Sequence, residues 1–154
     1  MGDGNGAGAA TIEFEHVSKH YDAATLKSGA PGAVDDLSLT VPAGRICALV
    51  GPSGCGKTTT LKMVNRLIEP SDGRILIDGV DLAGEEVTEL RRGIGYVLQQ
   101  VGLFPHQSIA ENDSTLPRLL GWDKARQDER SDELLQIVGL EPGKYRDRYP
   151  TQLS

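Results

Sequence analysis

ICALVGPSGCGKTTT, residues 46–60, is the stretch on which the reading of this chain turns. Residues 46–50 are apolar enough for a buried strand. Gly51, Gly56, Lys57 and Thr58 then fill the spacing GxxxxGK followed by Ser or Thr, a phosphate-binding loop that opens a helix. The chemistry follows from the residue types. Glycines at 51, 54 and 56 lack a Cβ, so backbone N–H groups running through Pro52, Ser53, Gly54 and Cys55 to the helix can curl about a phosphate. The helix aims its positive dipole end at the same place. Lys57 is expected to reach the β- and γ-phosphates of a nucleotide, and Thr58 to offer its hydroxyl to Mg²⁺, which keeps most of its waters and takes few protein ligands. Thr59 adds a further phosphate contact. A glycine-rich turn without a ligand is the bland alternative in a chain with 19 glycines, and the expected strand before and helix after argue against it.

Composition bounds the rest. The 154 residues suit one ordinary domain, and 38% hydrophobic with 25% charged residues is the profile of a soluble globular chain. The longest apolar run is 46–50, far short of the ~20 residues of a transmembrane helix. Residues 1–10 have neither the basic start nor the apolar core of a signal peptide, and Gly6 stands where myristoylation wants Ser or Thr, so the segment reads as a flexible tail. A net charge of −6 argues against a general nucleic-acid binder, which needs Lys and Arg to neutralise phosphates, but leaves a free nucleotide allowed. Cys47 and Cys55 make no disulfide framework, which points to a reducing compartment. Cys55, near a helix N-terminus, is read as a small loop filler before an activated thiol. Asn112-Asp113-Ser114 matches the glycosylation triplet, but no export signal accompanies it.

Outward from the loop, residues 11–17 alternate through Ile12 and Phe14, less cleanly at His16 and Val17, and read as a half-buried strand. Residues 22–32 are a small, polar loop. A second strand over 34–41 carries Leu37, Leu39 and Val41, and Pro42-Ala43-Gly44 turns the chain into 46–50. The loop helix is expected over 57–68, with Leu61, Val64, Leu67 and Ile68 at helical spacing and Met63 in the core. Residues 74–77 form a short strand closed by Asp78-Gly79. An apolar run ending in Asp also suits a second Mg²⁺-binding strand, but Gly79 in place of an acid favours a hairpin turn. Residues 85–92 are a short polar helix or turn, and 94–98 another buried strand. Ser108 caps a helix running to Leu120. Asp123 caps a second through Val138, with Leu134, Leu135 and Val138 as its apolar face and a densely charged, solvated first half. No internal repeat is evident.

The residues now identify a family. GPSGCGKTT (51–59), GYVLQQVGLFP (95–105) and YPTQLS (149–154), in that order, resemble the ATP-binding subunit of ABC transporters, and the likeness covers the chain from Thr11 onward. NRLIEP (65–70), GLFPH (102–106) and PRLLGWDK (117–124) further resemble the importer branch for quaternary-amine osmoprotectants such as glycine betaine, carnitine or choline. The resemblance implies an α/β fold: an incomplete P-loop NTPase core of ABC type, with an antiparallel β subdomain and the start of a helical subdomain. The implied layout is a β subdomain and P-loop core over 11–98, a glutamine loop over 99–107 and a helical subdomain over 108–154 that docks on membrane subunits.

Carried over residue by residue, the family pattern makes Tyr21 the aromatic residue that stacks on adenine. The alternative for Tyr21 is a half-buried strand-end side chain. Counting back six from Pro105 makes Gln99, not Gln100, the glutamine that contacts Mg²⁺ and senses the γ-phosphate. The implied cofactors are ATP and Mg²⁺. The implied partners are membrane-embedded permease subunits and a second ATP-binding subunit met head to tail, with no nucleic acid, on the cytoplasmic face of the membrane. Leu153-Ser154 resembles the first two residues of the signature LSGGQ. The glutamate that positions water and the later switch histidine have no counterpart here, since His16, His20 and His106 fall elsewhere, so the 154 residues are expected not to hydrolyse ATP by themselves. Asp113 departs from the family, which has an apolar residue after the Glu-Asn pair. Two other functions compete: a non-catalytic nucleotide-binding or interaction fragment, and a small nucleotide kinase. The kinase usually has its loop after the first strand of the chain, whereas about forty residues and Tyr21 precede it here.

Overall fold

The structure, a computed structural model, describes residues 8–22, 30–97 and 102–153. The chain divides into two compact units, Met1–Gly95 and Tyr96–Ser154, and each is described by itself.

The first unit is built on a four-stranded antiparallel sheet, β1 (Ile12–Lys19), β2 (Val34–Val41), β3 (Asp72–Ile77) and β4 (Val80–Asp81), in the order β2-β1-β3-β4. The untidy alternation of the first strand has a physical cause. His16 takes a left-handed φ of 51°, and the register shifts between Phe14 and Val17, so this bulge turns both Phe14 and Val17 into the core. His16 is left on the outside, its Nδ1 2.7 Å from Asp36 Oδ1 of β2. Asp78 and Gly79 both have positive φ, 49° and 77°, and join β3 to β4 in the tight hairpin that an Asp-Gly pair favours. The Asp78 carboxylate accepts the Thr11 N–H at 2.7 Å, a structural duty at the start of β1 and not that of a metal ligand.

Against the sheet packs α1 (Lys57–Val64), which buries Thr60 and Met63. Met63, Val17, Phe14, Ile75 and Leu82 form the core. The helix ends at Val64, not at Ile68 as its apolar spacing suggested, and Leu67 is half exposed. Two arginines explain the early stop. Arg91, in α2 (Val87–Arg92), donates from Nε to Asn65 O at 3.0 Å and from Nη2 to Arg66 O at 2.6 Å, satisfying terminal carbonyls that a further turn would have taken. Arg66, at φ 49°, donates from Nη1 to Leu82 O and Glu85 O at 2.9 and 2.8 Å.

Two expected buried strands are not formed. Residues 46–50 make no ladder, with Ile46 100% and Val50 90% exposed; 94–97 are likewise irregular, with Val97 95% exposed, and Leu98 lies outside the described residues. A strand apolar on both faces needs hydrogen-bonded neighbours to satisfy its backbone and helices to cover it. Among the described residues the only strands are the four of the antiparallel sheet, which pair with one another. The apolar code of 46–50 is therefore present without the parallel neighbours that would read it.

The second unit is helical: α3 (Ile109–Asp113), α4 (Thr115–Leu119), α5 (Lys124–Ile137) and α6 (Pro142–Tyr145). Ser108 caps α3 in a capping box with Glu111, and Asp123 caps α5 by accepting the Arg126 N–H at 2.9 Å, both where the sequence put a cap. The single helix expected to Leu120 is broken at Ser114, because Pro117 has no N–H to return to the carbonyl of Asp113. The buried face of α5 is Gln127, Ser131 and Leu135, while Val138 is 68% exposed and not part of it. Asn112 ties the preceding loop to α3, its Oδ1 accepting the Phe104 N–H at 2.7 Å and its Nδ2 donating to Phe104 O and Ser108 O. Asp113, the departure noted above, is accommodated by a polar partner: the buried Ser131 Oγ donates to its Oδ2 at 2.9 Å.

Candidate functional site

Residues 51–56 lead as a loop into the N-terminus of α1. Gly54 and Gly56 take φ of 84° and 88°, a region that a side chain disfavours, and a Cβ on Gly56 would lie 2.3 Å from the carbonyl of Ala33. The glycine spacing of the motif is thus a requirement of the backbone path. Lys57 folds back across this loop, with Nζ donating to Gly51 O at 2.9 Å and Pro52 O at 2.7 Å and lying 3.3 Å from Cys55 Sγ. Its ammonium is held inside the ring of backbone that an anion would enter, and Cys55 beside it is a free, exposed thiol.

Four consecutive hydroxyl or amine side chains at the helix start have distinct surroundings. Thr60 is buried and donates to Gly56 O at 3.1 Å. Thr59 Oγ1 lies 3.1 Å from the hydroxyl of Tyr21, 38 residues away in sequence. Thr58 is exposed, and so are Pro52 and Ser53. The N–H groups of the first helical turn have no intrahelical partner, so the loop gathers a cation, hydroxyls and unpaired donors around one point, a chemistry suited to a polyphosphate.

Tyr21 is 64% exposed, yet its backbone neighbours are fixed. The His20 N–H donates to Ser71 Oγ at 3.0 Å and the same hydroxyl donates to His20 O at 3.2 Å. Lys19 brings its ammonium to 5.5 Å from the Tyr21 ring centroid. The structure therefore brings Tyr21 to the loop helix, with Thr59 as the point of contact. Gln99 lies outside the described residues, as does Ser154. Of the two side chains expected at Mg²⁺, only Thr58 is thus described. An exposed hydroxyl beside a polyphosphate site fits a cation that takes most of its ligands from phosphate and water. Among the described residues no group of three or more His, Cys, Asp or Glu is arranged to hold a metal.

A groove of about 680 Å³ runs beneath the loop, bounded by Leu37, Leu39, Leu49 and Val50 as well as Cys55 and Lys57. Gly54, Cys55 and Lys57 of the loop take part in its lining, together with Asp35 and the buried Thr60, whereas Tyr21, Thr58 and Thr59 do not. Sequence reasoning missed the Tyr21–Thr59 contact, which no periodicity encodes. It also missed Arg91, whose bonds to the carbonyls of Asn65 and Arg66 span 26 and 25 residues and leave no local signal in the sequence.

Comparison with known proteins agrees with this geometry. Residues 34–154 match the family described as ABC transporter, and the chain belongs to that family. It is 51% identical over 144 residues to the osmoprotectant import ATP-binding protein OsmV of Salmonella typhimurium, and 50% identical over 143 residues to the glycine betaine/carnitine/choline transport ATP-binding protein OpuCA of Bacillus subtilis. Each alignment covers 93% of this chain and 37% or 36% of the relative, so the chain spans about a third of their length. Among solved structures, it is similar to the ATP-binding cassette MJ0796 in a dimeric post-hydrolysis state bound to ADP and Pi. That match has a TM-score of 0.76 and 27% identity over 93% of this chain and 63% of that one. It is also similar to cbiO1 of Clostridium perfringens, part of the cbiONQ transporter complex, with a TM-score of 0.76 and 25% identity over 93% of this chain and 55% of that one. The fold is thus part of an ABC ATPase cassette, with its antiparallel sheet and loop helix present.

Proposed function

We propose that this chain is the nucleotide-binding portion of the energy-coupling subunit of an importer for quaternary-amine osmoprotectants. The observation that carries the reading is the loop itself, with Lys57 held across the backbone of residues 51–55 and Tyr21 in contact with Thr59. In this reading an incoming triphosphate replaces the carbonyl partners of Lys57 with charge-assisted bonds, which are the stronger kind. Gly51, Pro52, Ser53, Gly54, Cys55 and Gly56 supply backbone to the phosphates, Thr59 a hydroxyl, and Tyr21 a flat ring for adenine. Mg²⁺, bound with the nucleotide, would neutralise phosphate charge; Thr58 and Gln99 are its proposed protein contacts. The division into a β subdomain with P-loop core (11–98), a glutamine loop (99–107) and a helical subdomain (108–154) is part of the same proposal.

The proposed partners are a second ATP-binding subunit and membrane-embedded permease subunits, which place the protein on the cytoplasmic face of the membrane. No helix among the described residues is long and apolar enough to cross a membrane. Support for a permease contact comes from the apolar side chains that the second unit leaves exposed: Phe104, Leu116, Leu119 and Leu120 are each 44–62% exposed. The substrate class rests on the names of the relatives. A non-catalytic nucleotide-binding module is the second reading, favoured by the exposure of Ile46, Val50 and Val97. The test is uptake by the cell that encodes the chain. Lys57→Ala in the gene is expected to abolish uptake of labelled betaine or choline and spare an unrelated sugar. Undiminished betaine and choline uptake would refute the importer reading.

A further inference from the structure

Base and phosphate recognition are usually separate tasks, performed by side chains that do not touch. Here they meet. Tyr21 follows β1, and Thr59 is the third residue of α1, yet their oxygens are 3.1 Å apart. The contact joins two elements that are each fixed independently. On one side, Ser71 holds His20 through both its N–H and its carbonyl, and Ala33 donates its N–H to Lys19 O at 2.8 Å, so the chain entering Tyr21 is pinned from two directions. On the other, Thr59 belongs to a helix whose buried face is Thr60 and Met63 and whose C-cap carbonyl, at Asn65, is held by Arg91 together with that of Arg66.

We infer that the Tyr21 hydroxyl is a positioning group for Thr59, and that this hydrogen bond couples the base subsite to the phosphate subsite. A hydroxyl has one proton to donate and lone pairs to accept. If the phenol donates to Thr59 Oγ1, the threonine proton is left to donate elsewhere, and the acceptor nearest in chemistry is a phosphate oxygen at the start of α1. Such a relay gains from polarisation of one bond by the next. The neighbouring hydroxyls do not substitute for it: Thr60 is committed to Gly56 O, and Thr58 is expected on the metal. Tyr21 thus acts twice, through its ring on the base and through its oxygen on the phosphates. A tyrosine, not a phenylalanine or tryptophan, is what this position requires.

This inference rests on the nucleotide-binding reading, and the experiment separates the two. Calorimetric titration of the 154-residue chain uses two probes: ATP with Mg²⁺, and inorganic tripolyphosphate with Mg²⁺, which has no base to stack. Tyr21→Phe keeps the ring and removes only the hydroxyl. It is expected to weaken tripolyphosphate binding by roughly two- to tenfold, the worth of one hydrogen bond, and ATP binding by the same factor. Thr59→Val produces at least that loss, Thr59→Ser restores native affinity, and the double variant Tyr21→Phe/Thr59→Val is no weaker than Thr59→Val alone. Tyr21 is exposed, so thermal melting by circular dichroism is expected to be unchanged in Tyr21→Phe. Native tripolyphosphate affinity in Tyr21→Phe overturns the coupling while leaving nucleotide binding intact. Failure of the native chain to bind either probe overturns both.

Discussion

Replacing Ser131 by alanine is the perturbation whose outcome the second unit specifies most closely. Its side chain is only 1% exposed, and its hydroxyl donates to the half-buried carboxylate of Asp113 at 2.9 Å. A hydrogen bond to a charged group contributes about 1.5 to 3 kcal/mol, and its loss leaves the carboxylate without that donor, so Ser131→Ala is expected to cost about that much. Asp113→Leu, which supplies the apolar side chain of the family pattern, strands the buried hydroxyl at about 1 to 3 kcal/mol. It regains about 1 kcal/mol of apolar burial, for a net loss of about 0 to 2 kcal/mol. The double variant leaves nothing stranded and is expected to be at least as stable as either single one, with a coupling of about 1 to 3 kcal/mol. Urea unfolding followed by Trp122 measures this directly. Trp122 is the only tryptophan of the chain, it lies beside Asp123, the cap of α5, and its ring is stacked by Arg126 at 3.7 Å. Additive single effects, to within about 0.5 kcal/mol, would refute the pairing as the reason Asp113 is tolerated.

Other outcomes follow from the same structure. Burial holds the Asp113 carboxyl above its ordinary value, partly offset by Ser131, so the folded chain binds that proton more tightly than the unfolded one. Its contribution to stability is full below the ordinary aspartate range and is lost as pH rises through the raised value. Asp128, held down by Lys124, and Glu111, held down by the Ser108 N–H, run the opposite way, so only the difference between native chain and Asp113→Asn over about pH 3 to 7 isolates the contribution of Asp113. Gly56→Ala forces a Cβ to 2.3 Å from Ala33 O at φ 88° and is expected to lower the urea midpoint by at least the ~1 kcal/mol equivalent of an unfavourable left-handed residue. Arg91→Ala removes two bonds from the end of α1 and is expected to destabilise the first unit by about 1 to 3 kcal/mol in the same assay.

What the sequence made legible was local. Asp78-Gly79, the Ser108 and Asp123 caps, the alternation of Leu37, Leu39 and Val41 and the glycines at 54 and 56 each prescribe backbone within a few residues, and each is found as read. What failed needed partners far along the chain. Residues 46–50 have the composition of a core strand, but composition does not supply the neighbours a parallel strand pairs with. The end of α1 is set by Arg91, 26 residues beyond Asn65, and the fit of Asp113 by Ser131, 18 residues on. Within the site, the loop was written in one stretch and so was readable, whereas the meeting of Tyr21 with Thr59 depends on how β1 and α1 pack.

The claim on which the rest depends is that the loop over 51–59 binds a nucleoside triphosphate through Lys57. Calorimetric titration of the native chain, Lys57→Ala and Tyr21→Ala with ATP and Mg²⁺ tests it most directly. Lys57→Ala is expected to lose more affinity than Tyr21→Ala, because the ammonium meets the phosphates themselves while stacking on one ring is worth roughly 1 to 3 kcal/mol and leaves GTP able to compete. Equal binding by the native chain and Lys57→Ala, or a larger loss in Tyr21→Ala, would contradict the account.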